Sequence, residues 1–216
     1  MIDSNGSHHI PPLRLPGLTR YYDTVVHYST REATFRRLII QRADAKPTDR
    51  VLDVGSGTGS LLMTLQERAS GARSVGAEID AAAITIAAAK TSRSIPFVQA
   101  SATTLPFETA SFDRVFMTLV LHHLEDDDKV ATLAEARRVL CRDGSLHVAD
   151  WRRGTNLALR AMFLGVRLLD GMTTTRQHAV SSLAEIVKDA GLRAVEEYRV
   201  LATPFGSIGL LSAARA

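Results

Sequence analysis

The stretch VLDVGSGTGS, from Val51 to Ser60, decides the fold class of this chain. An apolar run that contains a single carboxylate, Asp53, leads into three alternating glycines, Gly55, Gly57 and Gly59. Glycine allows the backbone to turn tightly and to approach a ligand closely. In open α/β sheets, a turn of this kind after the first strand lies where ligands bind, at the carboxyl ends of the strands. We therefore expect a parallel sheet with a ligand-binding loop at this position.

The rest of the chain alternates between strand and helix patterns. The strand patterns are RVLDV, RSVGAEI, PFVQA, DRVFMTLVL and GSLHVAD, the last of which follows the turn RDG. Such alternation indicates a parallel sheet covered by helices. Two further strand patterns, RAVEEYRVLAT and GSIGLLSAARA, are joined only by PFG, and so short a connection requires an antiparallel pair. The predicted fold class is α/β: a Rossmann-like, doubly wound sheet of seven strands, mostly parallel, with a C-terminal antiparallel hairpin and helices on both faces.

Length and composition predict the domain organisation. The 216 residues fit one domain, which we expect to span 21–216. Residues 1–20 are rich in proline, glycine, serine and histidine, which argues against regular structure and predicts a flexible arm. The apolar helical segment near 152–178 follows the fifth strand and is the natural lid of the predicted site.

Charge and cysteine content narrow the classes of partner and compartment. The formal net charge is only +3 and the basic residues are scattered, which argues against nucleic-acid binding. The single cysteine, Cys141, suits a reducing compartment. We find no apolar run long enough to span a membrane and no signal-peptide pattern. We therefore expect a cytoplasmic protein that acts on a small molecule, and the sequence assigns no oligomeric state.

Acidic residues around the glycine loop indicate what the loop holds. The loop has no lysine and no nucleotide-triphosphate motif, and Asp53 would repel a phosphate. Ser60 stands where a dinucleotide-binding loop has its third glycine. Glu78 ends the second strand, where a carboxylate can accept hydrogen bonds from two ribose hydroxyls. S-adenosylmethionine meets these requirements, because it carries a ribose, an ammonium and a sulfonium but no phosphate.

Four motifs in this order resemble the class I S-adenosylmethionine-dependent methyltransferases, and in particular the small-molecule branch that includes enzymes of ubiquinone and menaquinone biosynthesis. The motifs are VLDVGSGTG, VGAEID, LPFETASFDRVFMTLVLHHL and EARRVLCRDGSLHVADW. The resemblance extends from about Tyr22 to Ala213. It implies methyl transfer to a small-molecule acceptor by in-line displacement, with S-adenosylhomocysteine as the product and no metal.

The resemblance assigns the methionine and ribose parts of the cofactor to the first two motifs. Asp53 and the backbone of the loop would contact the methionine moiety, and Glu78 would bind the ribose hydroxyls. Ser56 stands where many family members have cysteine, which changes little because this position offers mainly its backbone. The loop residues in this set are Gly55, Ser56, Gly57, Thr58 and Gly59.

The resemblance also assigns the remaining contacts of the cofactor. Ile79 would lie against the adenine, and Ala102 would donate a backbone N–H to it. Ser101 is a departure, since many family members have an aspartate there that reaches the adenine amino group. Met117 would lie beside the sulfonium, and Tyr22 would contact the methionine carboxylate.

Two adjacent histidines, His122 and His123, follow the fourth strand at the predicted catalytic edge. One of them, for which we favour His123, is a candidate general base, because histidine titrates near neutral pH. Alternatively, both pack against or hydrogen-bond the loop. The candidate substrate contacts are Trp151, Met162, Phe163, Arg176 and His178, and the apolar lid favours a small apolar or amphipathic acceptor.

Three alternative functions remain open at this point. A nicotinamide-dependent oxidoreductase would use the same loop and Glu78, although Asp53 argues against it. A nucleic-acid methyltransferase would carry an Asn/Asp-Pro-Pro-aromatic motif after the fourth strand, where this chain has MTLVLHH. A non-catalytic protein that binds an adenosyl ligand would retain the same fold and site.

Overall fold

The structure, a computed structural model, describes residues 32–91, 94–152, 183–203 and 206–215. Its strands are β1 (Arg50–Val54), β2 (Arg73–Glu78), β3 (Phe97–Gln99), β4 (Phe112–Thr118), β5 (Leu140–Arg152), β6 (Arg193–Thr203) and β7 (Gly206–Ala214). Its helices are α1 (Glu32–Ala43), α2 (Ser60–Arg68), α3 (Ala81–Lys90), α4 (Asp126–Val139) and α5 (Leu183–Asp189), with a short 3₁₀ turn at Leu121–His123.

The strands form one seven-stranded sheet in the order β3-β2-β1-β4-β5-β7-β6. β1 pairs in parallel with β2 and with β4, and β4 pairs in parallel with β5. β7 lies antiparallel between β5 and β6. This confirms the predicted fold class, including the C-terminal hairpin. The chain order reverses between β1 and β4, which is where ligands bind in open α/β sheets.

The fifth strand is longer than the sequence pattern predicts. We expected it to begin after the turn RDG, whereas β5 begins at Leu140 and continues through that segment. The register explains the difference: Leu140 pairs with Phe112, while the next paired residue, Ser145, pairs with Arg114. The residues between these two pairs bulge out of the ladder, so the predicted turn lies inside the strand.

Two hydrophobic cores cover the two faces of the sheet. One face packs against α4 and α5 through residues such as Leu133, Val139 and Ile186. The other face packs against α1 and α2 through residues such as Phe35 and Leu62. Helices on both faces leave the carboxyl ends of β1, β2, β4 and β5 together at one edge of the sheet, where their loops can form a site.

Some sequence predictions fall outside the described residues. These are the amino-terminal arm at 1–20 and, apart from Arg152, the lid segment near 152–178. Within the described ranges, none of the helices combines the length and the apolar character that a membrane crossing requires.

Candidate functional site

The glycine loop after β1 adopts a backbone that favours glycine at three positions. Gly55, Gly57 and Gly59 have φ values of 67°, 51° and 75°. A Cβ atom on Gly55 would lie 2.4 Å from Cγ2 of Val120, and one on Gly59 would lie 2.8 Å from Cζ of Phe97. A Cβ on Gly57 would meet nothing within 4 Å. The two outer glycines therefore allow close packing, while the central one borders open space in which a ligand can lie.

Asp53 is a buried carboxylate that lies under this loop. Its side chain is only 1% exposed, and neither carboxylate oxygen has a hydrogen-bond partner among the described residues. Burial, followed by the negative charge of Glu78, raises the pKa of Asp53 to about 8, although Arg36 acts in the opposite direction. A buried carboxylate without a partner is costly. The site therefore suits a ligand that brings a cation or hydrogen-bond donors to Asp53.

Glu78 ends β2 beside the same loop, as the sequence predicts. Its Oε2 accepts a hydrogen bond from the Gly57 N–H at 2.8 Å. Its Oε1 accepts from the N–H groups of Ile79 and Asp80, at 2.8 and 3.0 Å. These three bonds hold the carboxylate at the opening of the loop, where it can accept hydrogen bonds from hydroxyls of a ligand.

A pair of hydroxyls follows β3, the strand next to β2. Ser101 Oγ and Thr103 Oγ1 are 2.8 Å apart, and the Thr103 N–H donates to Ser101 Oγ at 3.3 Å. The Ala100 N–H bonds to the Glu78 carbonyl at 2.9 Å, which ties this turn to the end of β2. Ser101 and Ala102 therefore lie along the same edge as Glu78. Thr103 was not predicted from the sequence, although its spacing of two residues from Ser101 could have indicated the pair.

A second buried carboxylate, Asp150, organises the loop after β4. Its Oδ2 accepts from the N–H groups of Val120 and Leu121 at 3.1 and 2.7 Å, and its Oδ1 accepts from the Trp151 N–H at 2.7 Å. Oδ1 also lies 2.8 Å from Nδ1 of His122. Asp150 was assigned no role from the sequence, although its place at the end of β5 puts it at the same edge as the glycine loop.

The two histidines occupy different environments. His122 is 2% exposed, whereas His123 is half-buried. Their ring centroids are 3.9 Å apart, and the His122 ring meets Trp151 edge-on at 6.4 Å. Leu119, just before this turn, has a φ of 57°. Such a backbone is strained for a leucine, and strain of this kind is typical of functional loops.

Other predicted site residues are distributed as follows. Met117 is fully buried in the core between β1 and β5, and Trp151 is buried at 5% exposed. Five predicted contacts lie outside the described residues: Tyr22, Met162, Phe163, Arg176 and His178. Within the described parts of the chain, no three His, Cys, Asp or Glu side chains are arranged to hold a metal ion.

The middle of the chain is similar to known methyltransferases. Residues 52–148 match the family model described as a methyltransferase domain. The chain is 35% identical over 120 residues to the demethylmenaquinone methyltransferase of Thermus thermophilus, covering 54% of each protein. It is 34% identical over 128 residues to a ubiquinone/menaquinone biosynthesis C-methyltransferase of Xanthomonas oryzae, covering 56% of this chain and 49% of the relative. The chain thus spans about half the length of the curated relatives that it matches.

Solved structures share the fold. A SAM-dependent methyltransferase from Thermotoga maritima aligns with a TM-score of 0.69 at 18% identity, covering 91% of this chain and 95% of the other. One from Aquifex aeolicus aligns with a TM-score of 0.63 at 18% identity, covering 90% and 96%. The family match, the curated relatives and the shared fold agree with the order of the four sequence motifs, and they identify a methyltransferase domain at residues 52–148 of this chain.

Proposed function

We propose that this protein transfers a methyl group from S-adenosylmethionine to a small apolar or amphipathic acceptor. The observation that carries the proposal is Asp53, a buried carboxylate beneath the glycine loop that has no hydrogen-bond partner among the described residues. The ammonium of the methionine moiety would supply the missing partner. Bound S-adenosylmethionine supplies a methyl group on a positively charged sulfur, which is already activated for displacement.

The residues around Asp53 suit the other parts of this molecule. Glu78 would accept hydrogen bonds from the ribose hydroxyls, and the turn at Ser101 and Ala102, which is bonded to the end of β2, would contact the adenine. The hydroxyls of Ser101 and Thr103 replace the carboxylate that many family members use at this place. The loop sequence contains no lysine, which argues against a phosphate as the ligand.

The relatives' names suggest the class of acceptor. Both curated relatives are named as enzymes that methylate quinones or act in quinone biosynthesis. An apolar ring with hydroxyl groups, such as a reduced quinone, fits the apolar character of the segment near 152–178. We therefore propose a hydroxylated aromatic compound as the first acceptor to test.

Calorimetric titration with S-adenosylmethionine and S-adenosylhomocysteine, with NADH as comparator, tests the cofactor. We expect micromolar binding of both adenosyl ligands, lost in Glu78→Ala, and no comparable binding of NADH. Preferential binding of NADH would favour an oxidoreductase. Binding of the adenosyl ligands without transfer to any acceptor in a broad screen would favour a non-catalytic binding protein.

A further inference from the structure

A buried carboxylate–imidazole pair lies where β4 and β5 end. Asp150 is completely buried and His122 is 2% exposed, with Oδ1 and Nδ1 separated by 2.8 Å. We propose that His122 is the general base of the reaction and that Asp150 is its positioning residue. This inference rests on the proposed function and deepens it, because it specifies an acceptor that must lose a proton.

The tautomer of His122 follows from its partner. An ionised carboxylate can only accept hydrogen bonds, so Nδ1 of a neutral imidazole beside it carries the hydrogen. Nε2 is then the ring nitrogen that can accept a proton. Three backbone N–H groups also bond to Asp150, from Val120, Leu121 and Trp151. They fix the carboxylate so that it holds the imidazole in one orientation.

The pair is connected to the glycine loop through a single residue. Val120 packs against Gly55 so closely that a Cβ atom there would lie 2.4 Å from Cγ2 of Val120. The N–H of the same Val120 bonds to Asp150 at 3.1 Å. The turn that carries His122 is therefore fixed against the loop that would hold the methionine end of the cofactor. This arrangement places a base and a methyl donor at neighbouring positions of one sheet edge.

The proposed reaction moves one proton from the acceptor to His122 and one methyl group from sulfur to the acceptor. Nε2 of His122 accepts the hydroxyl proton of the acceptor while the acceptor's oxygen, or the ring carbon next to it, bonds to the methyl carbon. The methyl–sulfur bond breaks and its electron pair stays on sulfur, so that the positive charge passes to the imidazolium. The imidazolium then loses its proton to solvent. A product methylated at ring carbon regains its aromaticity when the ring proton moves to the oxygen.

A purely structural role for Asp150 makes different predictions. In that case Asp150 only fastens the loop after β4, and the protonation of His122 has no effect on turnover. Asp150→Asn separates the two roles because the amide keeps the size of the carboxylate and one oxygen that accepts backbone N–H groups. Its NH₂ group donates to Nδ1 and would move the imidazole hydrogen to Nε2, which removes the base.

The first readout needs no acceptor. Proton–nitrogen NMR of the full chain reports which ring nitrogen of His122 carries hydrogen, and His122→Gln identifies the signal. We expect Nδ1–H in the wild type and Nε2–H in Asp150→Asn. Asp113→Asn is a matched control at the opposite edge of the sheet, where Asp113 binds Arg50, and it should leave the tautomer unchanged. A wild-type His122 with hydrogen on Nε2 would overturn the proposal.

The second readout is the pH profile of methyl transfer at saturating S-adenosylmethionine, where protonation of Asp53 in the free protein does not limit turnover, with 1,4-naphthohydroquinone and catechol as acceptors. We expect turnover to fall at acidic pH in the wild type, and to fall about 100-fold or more in His122→Gln and Asp150→Asn. The affinity for S-adenosylmethionine should stay within about threefold. Wild-type turnover in His122→Gln would overturn the proposal, as would transfer restricted to acceptors without an ionisable proton, such as tertiary amines. If both variants fail to fold, the wild-type protein alone tests the proposal, through the tautomer of His122 and through the loss of turnover at acidic pH.

The same experiments separate this inference from the proposed function. Absence of adenosyl-ligand binding would overturn the proposed function itself. Normal binding and normal transfer in His122→Gln would overturn only the role of the pair.

Discussion

Asp53→Asn should change how the stability of the ligand-free protein depends on pH. Burial and Glu78 raise the pKa of Asp53 from 3.8 to about 8, so the folded chain keeps a proton that the unfolded chain releases. The stabilising contribution is complete below the unfolded pKa and is lost as pH rises through the folded pKa. The free energy of unfolding therefore falls by about 1.4 kcal/mol for each pH unit across this window.

His147 has the opposite effect at lower pH. Burial, followed by the charges of Arg114 and Arg42, lowers the pKa of His147 to about 3. Its contribution to stability is complete above its ordinary value of 6.5 and is lost as pH falls. Between pH 4 and 6.5 the two effects roughly cancel. Between pH 6.5 and 8 Asp53 is the one of these two groups whose contribution changes, and that contribution should lower the wild-type free energy of unfolding by about 2 kcal/mol.

The same proton affects ligand binding. An ammonium bound to Asp53 requires the carboxylate, so the free protein must release its proton when S-adenosylmethionine binds below pH 8. The α-amino group of the ligand stays protonated up to roughly pH 7.7. The dissociation constant should therefore decrease about fivefold between pH 6.5 and 7.5. Asp53→Asn should bind weakly and with no comparable pH dependence.

Two measurements check this reasoning. Urea unfolding of the ligand-free protein at pH 6.5 and 8 gives the stability difference, which should vanish in Asp53→Asn. Calorimetry at pH 6.5 in buffers of different ionisation enthalpy counts the protons released on binding, which should be about one. An unchanged pH slope in Asp53→Asn, or binding without proton release, would show that Asp53 is ionised in the free protein and that the argument is wrong.

Three further predictions concern other parts of the site and the core. Glu78→Gln keeps the shape of the side chain but removes its charge, and it should weaken calorimetric binding of S-adenosylmethionine by about 10- to 100-fold. Gly55→Ala should lower the melting temperature more than Gly57→Ala, because both positions have positive φ but only the Cβ at Gly55 would collide with Val120; equal losses would contradict this. His147→Phe should make the chain more stable on acidification from pH 6.5 to 4, where urea unfolding of the wild type should be nearly independent of pH.

The fold could be predicted largely from the sequence because local signals agreed with the global topology. Apolar runs predicted each strand of the sheet, and the short connection PFG predicted the antiparallel hairpin of β6 and β7. Asp80, which directly precedes the alanine-rich helix α3, caps that helix by accepting from the Ala82 N–H at 2.8 Å. The predicted start of β5 was wrong. RDG has the composition of a turn, whereas in the structure it lies within β5 as a bulge in the pairing with β4. Tertiary pairing overrode local preference there.

The site was less predictable, because its most specific features depend on contacts between distant parts of the chain. The glycines and Glu78 form a motif with fixed spacing, so the sequence indicated both. The pairing of His122 with Asp150 joins residues 28 positions apart, and no local pattern announces it. The preference for His123 over His122 rested on position alone. The structure gives His122 the buried carboxylate partner, and the role of either histidine stays a prediction.

The two buried carboxylates at this edge of the sheet differ in a way that the fold alone does not require. Asp150 receives three backbone N–H bonds and contacts His122, so folding itself satisfies it. Asp53 is equally buried and has no partner among the described residues. At the opposite edge, the carboxylates of Asp113 and Asp49 form ion pairs with Arg50 and Arg114. What sets Asp53 apart is its place at the ligand-binding edge, where both of its carboxylate oxygens lack a partner among the described residues, and a ligand that brings a cation or hydrogen-bond donors would satisfy them.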